Sequence, residues 1–476
     1  MTNEILHADI LDSFPAVDMD RIDALLAEEI RNNDMKFVVL DDDPTGVQTV
    51  HDIDVYTAWS VEDMKEGLTN SDKVFYILTN SRGMTEAEST KIHLEIMEAV
   101  DAASKETNVK YMFISRSDST LRGHYPLETE LLKKGMEEGG ITLDGEILFP
   151  FFKEGGRFTI NNIHYVKQGN VLMPAAQTEY ARDKTFGYSH SLIPEYVEEK
   201  TGGAYKAEDV TCISLDLLRG LKIDEITALL QGVHDFNKVC VNAVDYCDVK
   251  VFCIALYRAL AAGKNFMFRT AAGFVKCVGG ISDQPLLTRQ DMIVKETDMG
   301  GIVVVGSHTS KTTLQLEELL KLDYVVPVAF QSSLLLQGDE AFYHEVARCV
   351  AEEEAIIRSG KTAVCYTERK LLTLESDSRE SALIRSVKIS DGVQRLVADL
   401  SVIPSFVIAK GGITSSDVGT KALQVKRATV MGQICPGIPV WQTGEESRFP
   451  KTPYVIFPGN VGEVSTLREA VEILSK

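Results

Sequence analysis

The chain has 476 residues, 44% apolar and 25% charged, with a formal net charge of −21. This is the make-up of a globular protein, no apolar run reaches the ~20 residues that cross a bilayer, and the negative charge argues against a nucleic-acid partner. A single core stops growing near about 250 to 300 residues, so two domains are expected.

In chain order, residues 1–12 lack a basic stretch followed by an apolar one, which predicts a soluble, cytoplasmic protein. Apolar periodicity predicts a helix over 17–31 and strands over 37–40, 74–78, 111–114, 146–149, 239–242 and 266–269, with a further helix over 85–103. A second series follows, with strands over 302–305, 324–328, 363–366, 406–409 and 454–457 and a helix over 340–359. Strands alternating with helices predict an α/β fold of two domains, each a mostly parallel sheet flanked by helices. The polar stretch 282–301, bracketed by glycine pairs, divides the chain into residues 1–285 and 286–476. The eight cysteines form no C-x-x-C pair and read as buried, reduced thiols, and the nine histidines show no zinc spacing. Chain length leaves the assembly open, and a homodimer is compatible with it.

The informative polar clusters follow directly after predicted strands. They are Asp41-Asp42-Asp43-Pro44-Thr45-Gly46, Thr79-Asn80-Ser81-Arg82-Gly83, Ser115-Arg116-Ser117-Asp118-Ser119-Thr120-Leu121-Arg122-Gly123, and Gly155-Gly156-Arg157. In open α/β sheets ligands bind beyond the carboxyl ends of strands, so these clusters are expected to converge. Three neighbouring carboxylates raise one another's pKa unless a proton or metal relieves them. Arg82, Arg116, Arg122 and Arg157 suit a carboxylate or phosphate.

In the second half, Gly306-Ser307-His308-Thr309-Ser310-Lys311-Thr312 lacks the second glycine of a Walker loop, yet could offer backbone amides to phosphate where a helix begins near Ser310. Lys410-Gly411-Gly412-Ile413-Thr414 and Pro458-Gly459-Asn460 are two further glycine turns after strands. Three such turns in one domain point to a nucleotide.

Taken in order, Asp42-Asp43-x-Thr45-Gly46, Asp118-Ser119-Thr120-Leu121-Arg122-Gly123, Gly306-Ser307, Gly411-Gly412 and Gly459-Asn460 resemble the motif set of the four-carbon acid sugar kinases. The resemblance implies a sugar-acid-binding N-terminal domain, a nucleotide-binding C-terminal domain, and ATP-dependent phosphorylation of the terminal hydroxyl of threonate, erythronate or 3-oxo-tetronate. Departures from the family's pattern, such as Pro44, Arg116 and Ile413, bear on the choice of substrate. Within that frame Asp43, or else Asp42, is assigned to receive the proton of the attacking hydroxyl. Arg82, Arg116, Arg122, Arg157, Asp118 and Ser119 are assigned to the substrate, with Asp118 orienting a substrate hydroxyl or else the metal. Gly306, Ser307, Gly411, Gly412, Ile413, Thr414, Gly459 and Asn460 are assigned to ATP, with Mg²⁺ on its phosphates. The rival expectation is a haloacid-dehalogenase-type phosphatase with Asp41 as nucleophile, Asp43 beside it and Thr79 at the next strand end; a sensor without catalysis is a third.

Overall fold

The computed structural model describes residues 4–370, 372 and 379–475. The chain forms two compact units, one of Met1–Val50 with Ala58–Asp283, the other of His51–Thr57 with Gln284–Lys476.

The first unit is built on a parallel sheet. Among the described residues its strands run, in spatial order, Thr211–Ile213, Asn237–Val241, Gly145–Phe149, Phe266–Thr270, Tyr111–Arg116, Lys36–Asp41 and Val74–Leu78. Parallel strands covered on both faces read as nearly continuous apolar runs. Lys36–Asp41 accordingly reads KFVVLD with every residue buried, and Val74–Leu78 reads VFYIL in the same way. Helices between the strands begin at reciprocal caps, Thr85 with Glu88 ahead of Glu86–Thr107 and Asp245 with Asp248 ahead of Tyr246–Ala261. From Lys36–Asp41 the chain moves to Val74–Leu78 on one side, then returns to Tyr111–Arg116 on the other. The switch point of the sheet therefore lies at the ends of Lys36–Asp41 and Tyr111–Arg116, where a crevice opens.

A small antiparallel sheet, in the order Leu6–His7, Val171–Pro174, Ile163–Gln168 and Arg157–Ile160, accompanies it. Asn161 and Asn162, with φ of 50° and 66°, make the tight turn joining its last two strands.

In the second unit the parallel strands are Pro453–Phe457, Val407–Lys410, Ile302–Val305, Thr362–Thr367 and Val325–Phe330, in that order. Antiparallel strands Ile438–Thr443, Arg427–Cys435 and Ile53–Tyr56 extend the side of Pro453–Phe457. The strand Ile53–Tyr56 thus joins the second unit although it lies far inside residues 1–285, an excursion that a single boundary near residue 285 does not foresee. From Ile302–Val305 the chain first builds outward through Val325–Phe330 and Thr362–Thr367, then places Val407–Lys410 on the opposite side. A second switch point falls between Ile302–Val305 and Val407–Lys410.

Candidate functional sites of the two units

At the switch point of the first unit, Asp41 ends its strand directly beside Arg116, its register partner on the neighbouring strand. Arg116 Nη1 donates to Asp41 Oδ1 at 3.2 Å. Arg82, on a single turn of 3-10 helix entered through left-handed Asn80, donates from Nε to Asp42 Oδ2 at 3.1 Å and from Nη1 to Asp43 Oδ2 at 3.1 Å. Ser117 Oγ adds a 2.6 Å bond to Asp42 Oδ2, and Thr45 donates to Asp43 Oδ1 from N at 2.8 Å and from Oγ1 at 2.6 Å.

Arginines face all three aspartates, but they offset the repulsion unequally. Burial alone would raise Asp43, but Arg82 and the Thr45 hydrogen bonds outweigh it and hold its pKa below the ordinary value. Asp41 differs: burial pushes it up to about 7 against the pull of Arg116. It is the carboxyl that the phosphatase alternative needs as nucleophile, and it lies buried behind Gly46 and paired to Arg116.

The loop from Asp118 to Gly123 contains two left-handed residues, Leu121 with φ 67° and Gly123 with φ 117°. Its shape is held by three successive carbonyls, each accepting from a buried side chain. His164 Nε2 donates to Ser119 O at 2.7 Å, Tyr188 Oη to Thr120 O at 2.7 Å, and Tyr196 Oη to Leu121 O at 2.9 Å. Burial drives the His164 pKa down to about 4, so a neutral ring keeps that donor. Arg122 Nε donates to Asp118 Oδ2 at 2.6 Å. Burial would raise Asp118, yet Arg82 and Arg122 together carry its pKa well below the carboxylate range.

Arg269 braces the loop from behind. It donates to Glu128 Oε2 at 2.8 Å, Ser115 Oγ at 2.9 Å and the Arg122 carbonyl at 3.2 Å. Arg269, His164, Tyr188 and Tyr196 escape sequence reasoning; only Arg269, near the end of Phe266–Thr270, carries the strand-end signal that marked the others. Arg157 opens the small antiparallel sheet and lies with its guanidinium 5.5 Å from the centre of the Tyr180 ring, where Arg122 lies at 5.1 Å. All four expected arginines and the aspartates thus belong to one unit, and the structure brings Asp41, Asp42, Asp43, Arg82, Arg116, Asp118 and Arg122 into one connected network.

In the second unit the three glycine turns meet around Ser307. A methyl group on Gly306 would lie 2.2 Å from Thr414 Oγ1, and one on Gly459 would lie 3.3 Å from Ser307 Oγ. Ser307 Oγ accepts from Thr312 Oγ1 at 3.0 Å, and Thr312 Oγ1 also reaches Gly459 O at 3.2 Å. Gly412 has open space where a side chain would project, Ile413 is exposed, and Asn460 is exposed, its carbonyl accepting from Lys311 Nζ at 3.4 Å. The open space at Gly412 is of the kind that lets a phosphate chain approach backbone closely.

Two amides of the first glycine loop are already taken. The amides of Gly306 and Ser307 both donate to Lys410 O, at 3.3 and 3.2 Å, so they continue the sheet instead of facing a ligand. The helix that follows, Ser310–Leu319, is capped by Thr309 and begins where expected. Lys410, absent from the sequence-based assignments, is fully buried and donates from Nζ to Pro458 O at 2.6 Å and Gly459 O at 3.3 Å, tying two turns together. His308 shares a 3.3 Å contact with Thr367 Oγ1.

Among the described residues no group of three or more His, Cys, Asp or Glu side chains could hold a metal ion. Nor is any described helix long and apolar enough to cross a membrane.

Comparison with known proteins assigns both halves. Residues 37–278 match the family described as a sugar-binding N-terminal domain, and residues 302–467 match a nucleotide-binding C-terminal domain. Two solved structures share the fold. A Haemophilus influenzae protein, HI1011, superposes with a TM-score of 0.61 at 18% identity, over 92% of this chain and 100% of that one. A protein of Salmonella typhimurium LT2 superposes with a TM-score of 0.66 at 14% identity, over 92% of this chain and 99% of that one. No curated protein matches in sequence. Nothing in these comparisons supports the phosphatase alternative. Matched in this order through most of its length, the chain belongs to the four-carbon acid sugar kinase family.

Proposed function

We propose that the protein transfers the terminal phosphoryl group of ATP to the terminal hydroxyl of a four-carbon sugar acid, of which threonate, erythronate and 3-oxo-tetronate are the candidates. The observation that carries this reading is a coincidence of position. The Asp–Arg network lies within the sugar-binding match, and the three glycine turns lie within the nucleotide-binding match.

Asp43 is the residue to receive the hydroxyl proton. Its side chain is 23% exposed, against 3% for Asp42 and 2% for Asp41. Both Asp42 and Asp43 accept from Arg82, so exposure is what favours Asp43. The lowered pKa of Asp43 keeps it ionised and able to accept, and a loose phosphoryl-transfer transition state asks for positioning more than for a strong base. Asp118, held by Arg122, and Ser119 orient substrate hydroxyls, and Arg122 and Arg157, which share the ring of Tyr180, draw the acid in. Gly306, Ser307, Gly411, Gly412, Ile413, Thr414, Gly459 and Asn460 line the nucleotide, and ATP, when bound, supplies the phosphoryl group. Mg²⁺ would be carried mainly by the phosphates, because the described side chains form no cage for it.

An ADP-release screen over D- and L-threonate, D- and L-erythronate and their oxo derivatives tests the proposal. ADP should form only when the acid acceptor is present, and product analysis should find the phosphate on the terminal oxygen. Asp43→Asn should abolish turnover while ATP still binds. Phosphate release from phosphorylated metabolites without ATP, or near wild-type turnover by Asp43→Asn, would contradict the corresponding assignment.

A further inference from the structure

The four arginines of the first unit are not equivalent. Arg82 is committed to Asp42 and Asp43, Arg116 to Asp41, and Arg122 to Asp118, with Asp183 a further 3.8 Å contact. Arg157 pairs with no carboxylate among the described residues. Its Nη1 donates to the carbonyl of Gly155, and its Nε is buried without a hydrogen-bond partner. In a chain of formal charge −21, Arg157 is the one of these four arginines that forms no ion pair with a described carboxylate. Its Nε is buried while the side chain as a whole is only half-buried, which leaves a cation with an unused donor for an anionic ligand to meet.

What holds Arg157 in place is an aromatic ring. Its guanidinium lies 5.5 Å from the centre of Tyr180, and that of Arg122 lies 5.1 Å from the same centre. One ring therefore gathers two guanidiniums, of which that of Arg122 is already paired with carboxylates and that of Arg157 is open to an anion. Tyr180 sits on the short turn Glu179–Arg182 and packs against the core cluster of Leu121, Tyr125 and Tyr196, the last of which also holds the loop that carries Arg122. The platform is thus fixed by the same core as the substrate loop. His164, which feels the positive charge of Arg157, is held neutral chiefly by burial and adds no competing charge.

We propose that Tyr180 is a positioning residue that holds Arg157, with Arg122 beside it, as the subsite for the substrate's carboxylate. Recognition of an acid over a neutral polyol derivative then resides in Arg157 and its ring, while Arg82 and Arg116 serve the aspartates. This inference rests on the sugar-acid reading of the same site.

Calorimetric titration of the full chain, without nucleotide, with threonate and erythronate and with their neutral amides tests it. Wild type should bind an acid at least about tenfold more tightly than its amide, the scale of a desolvated cation–π and charge-assisted contact. Tyr180→Leu should bring acid and amide to within about threefold of each other, and Tyr180→Phe, which keeps the ring, should restore most of the difference. Arg157→Gln, which leaves the core untouched, should lose the discrimination even if Tyr180→Leu fails to fold. Undiminished preference for the acid in Arg157→Gln, or in a folded Tyr180→Leu, overturns the subsite alone. Failure of the wild type to bind any of these acids overturns the sugar-acid reading and the subsite with it.

Discussion

Gly46→Ala offers a direct test of how the aspartate cluster is built. A methyl group at Gly46 would lie 1.8 Å from Asp41 Oδ2 and 2.1 Å from Oδ1, so the carboxylate must leave its place. The backbone there is not left-handed, and the cost is one of space. Asp41 and Arg116 are only 2% and 6% exposed, and displacing the carboxylate strands the guanidinium in the interior. Breaking a buried pair from one side costs about 3 to 5 kcal/mol, and partial relaxation of the turn places the expectation at ~3 kcal/mol. Urea unfolding of wild type, Gly46→Ala, Asp41→Ala and the double variant measures it. Once Asp41 is already truncated the methyl group has room, so Gly46→Ala should then cost less than about 0.5 kcal/mol, a coupling of roughly 2.5 kcal/mol. Equal penalties in the two backgrounds, or a single variant as stable as wild type, would refute the claim that Gly46 exists to admit the Asp41 side chain.

Two further outcomes follow from the electrostatics. Asp41 has a folded pKa of about 7 against an ordinary 3.8, so the folded protein holds this proton more tightly; the stability it gives is full below the lower value and is lost as pH rises toward the upper one. Asp41→Asn should therefore gain urea resistance relative to wild type across that window, while the opposite trends of Asp43 and Asp118 cancel between the two proteins; parallel profiles would remove the assignment. Lys410→Met leaves the carbonyls of Pro458 and Gly459 without their donor and should weaken ATP binding by roughly tenfold with sugar-acid affinity unchanged, as titration of each ligand would show; an unaltered ATP affinity would deny the lysine its part in shaping the turns.

Much of this organisation is legible in the residues. Buried parallel strands betray themselves as short apolar runs, so VFYIL and IVVV were locatable, and the polar clusters after them marked both switch points. Strand order is another matter. It depends on which crossover packs where, and nothing local to Lys36–Asp41 announces that Tyr111–Arg116 rather than Val74–Leu78 closes the crevice beside it. The antiparallel strands were harder to read because they are short or half-exposed, although the Asn161-Asn162 turn is a hairpin signal that could have been used. Residues that act through the backbone of others, His164 and Tyr196 among them, carry no motif; they look like ordinary interior side chains until the carbonyls they hold are seen. The amides of Gly306 and Ser307 show the converse, since a glycine turn suggests a free cradle and only the sheet register reveals that Lys410 has claimed it.

The short excursion His51–Thr57 has a consequence for how such a chain can be cut or recombined. Because Ile53–Tyr56 completes the sheet edge at Arg427–Val430, a fragment beginning at Gln284 would leave that ladder bare, and one ending at Asp283 would carry an orphaned strand. Neither half of the chain is therefore self-contained in sequence, since a single cut near residue 284 parts the second unit from one of its own strands.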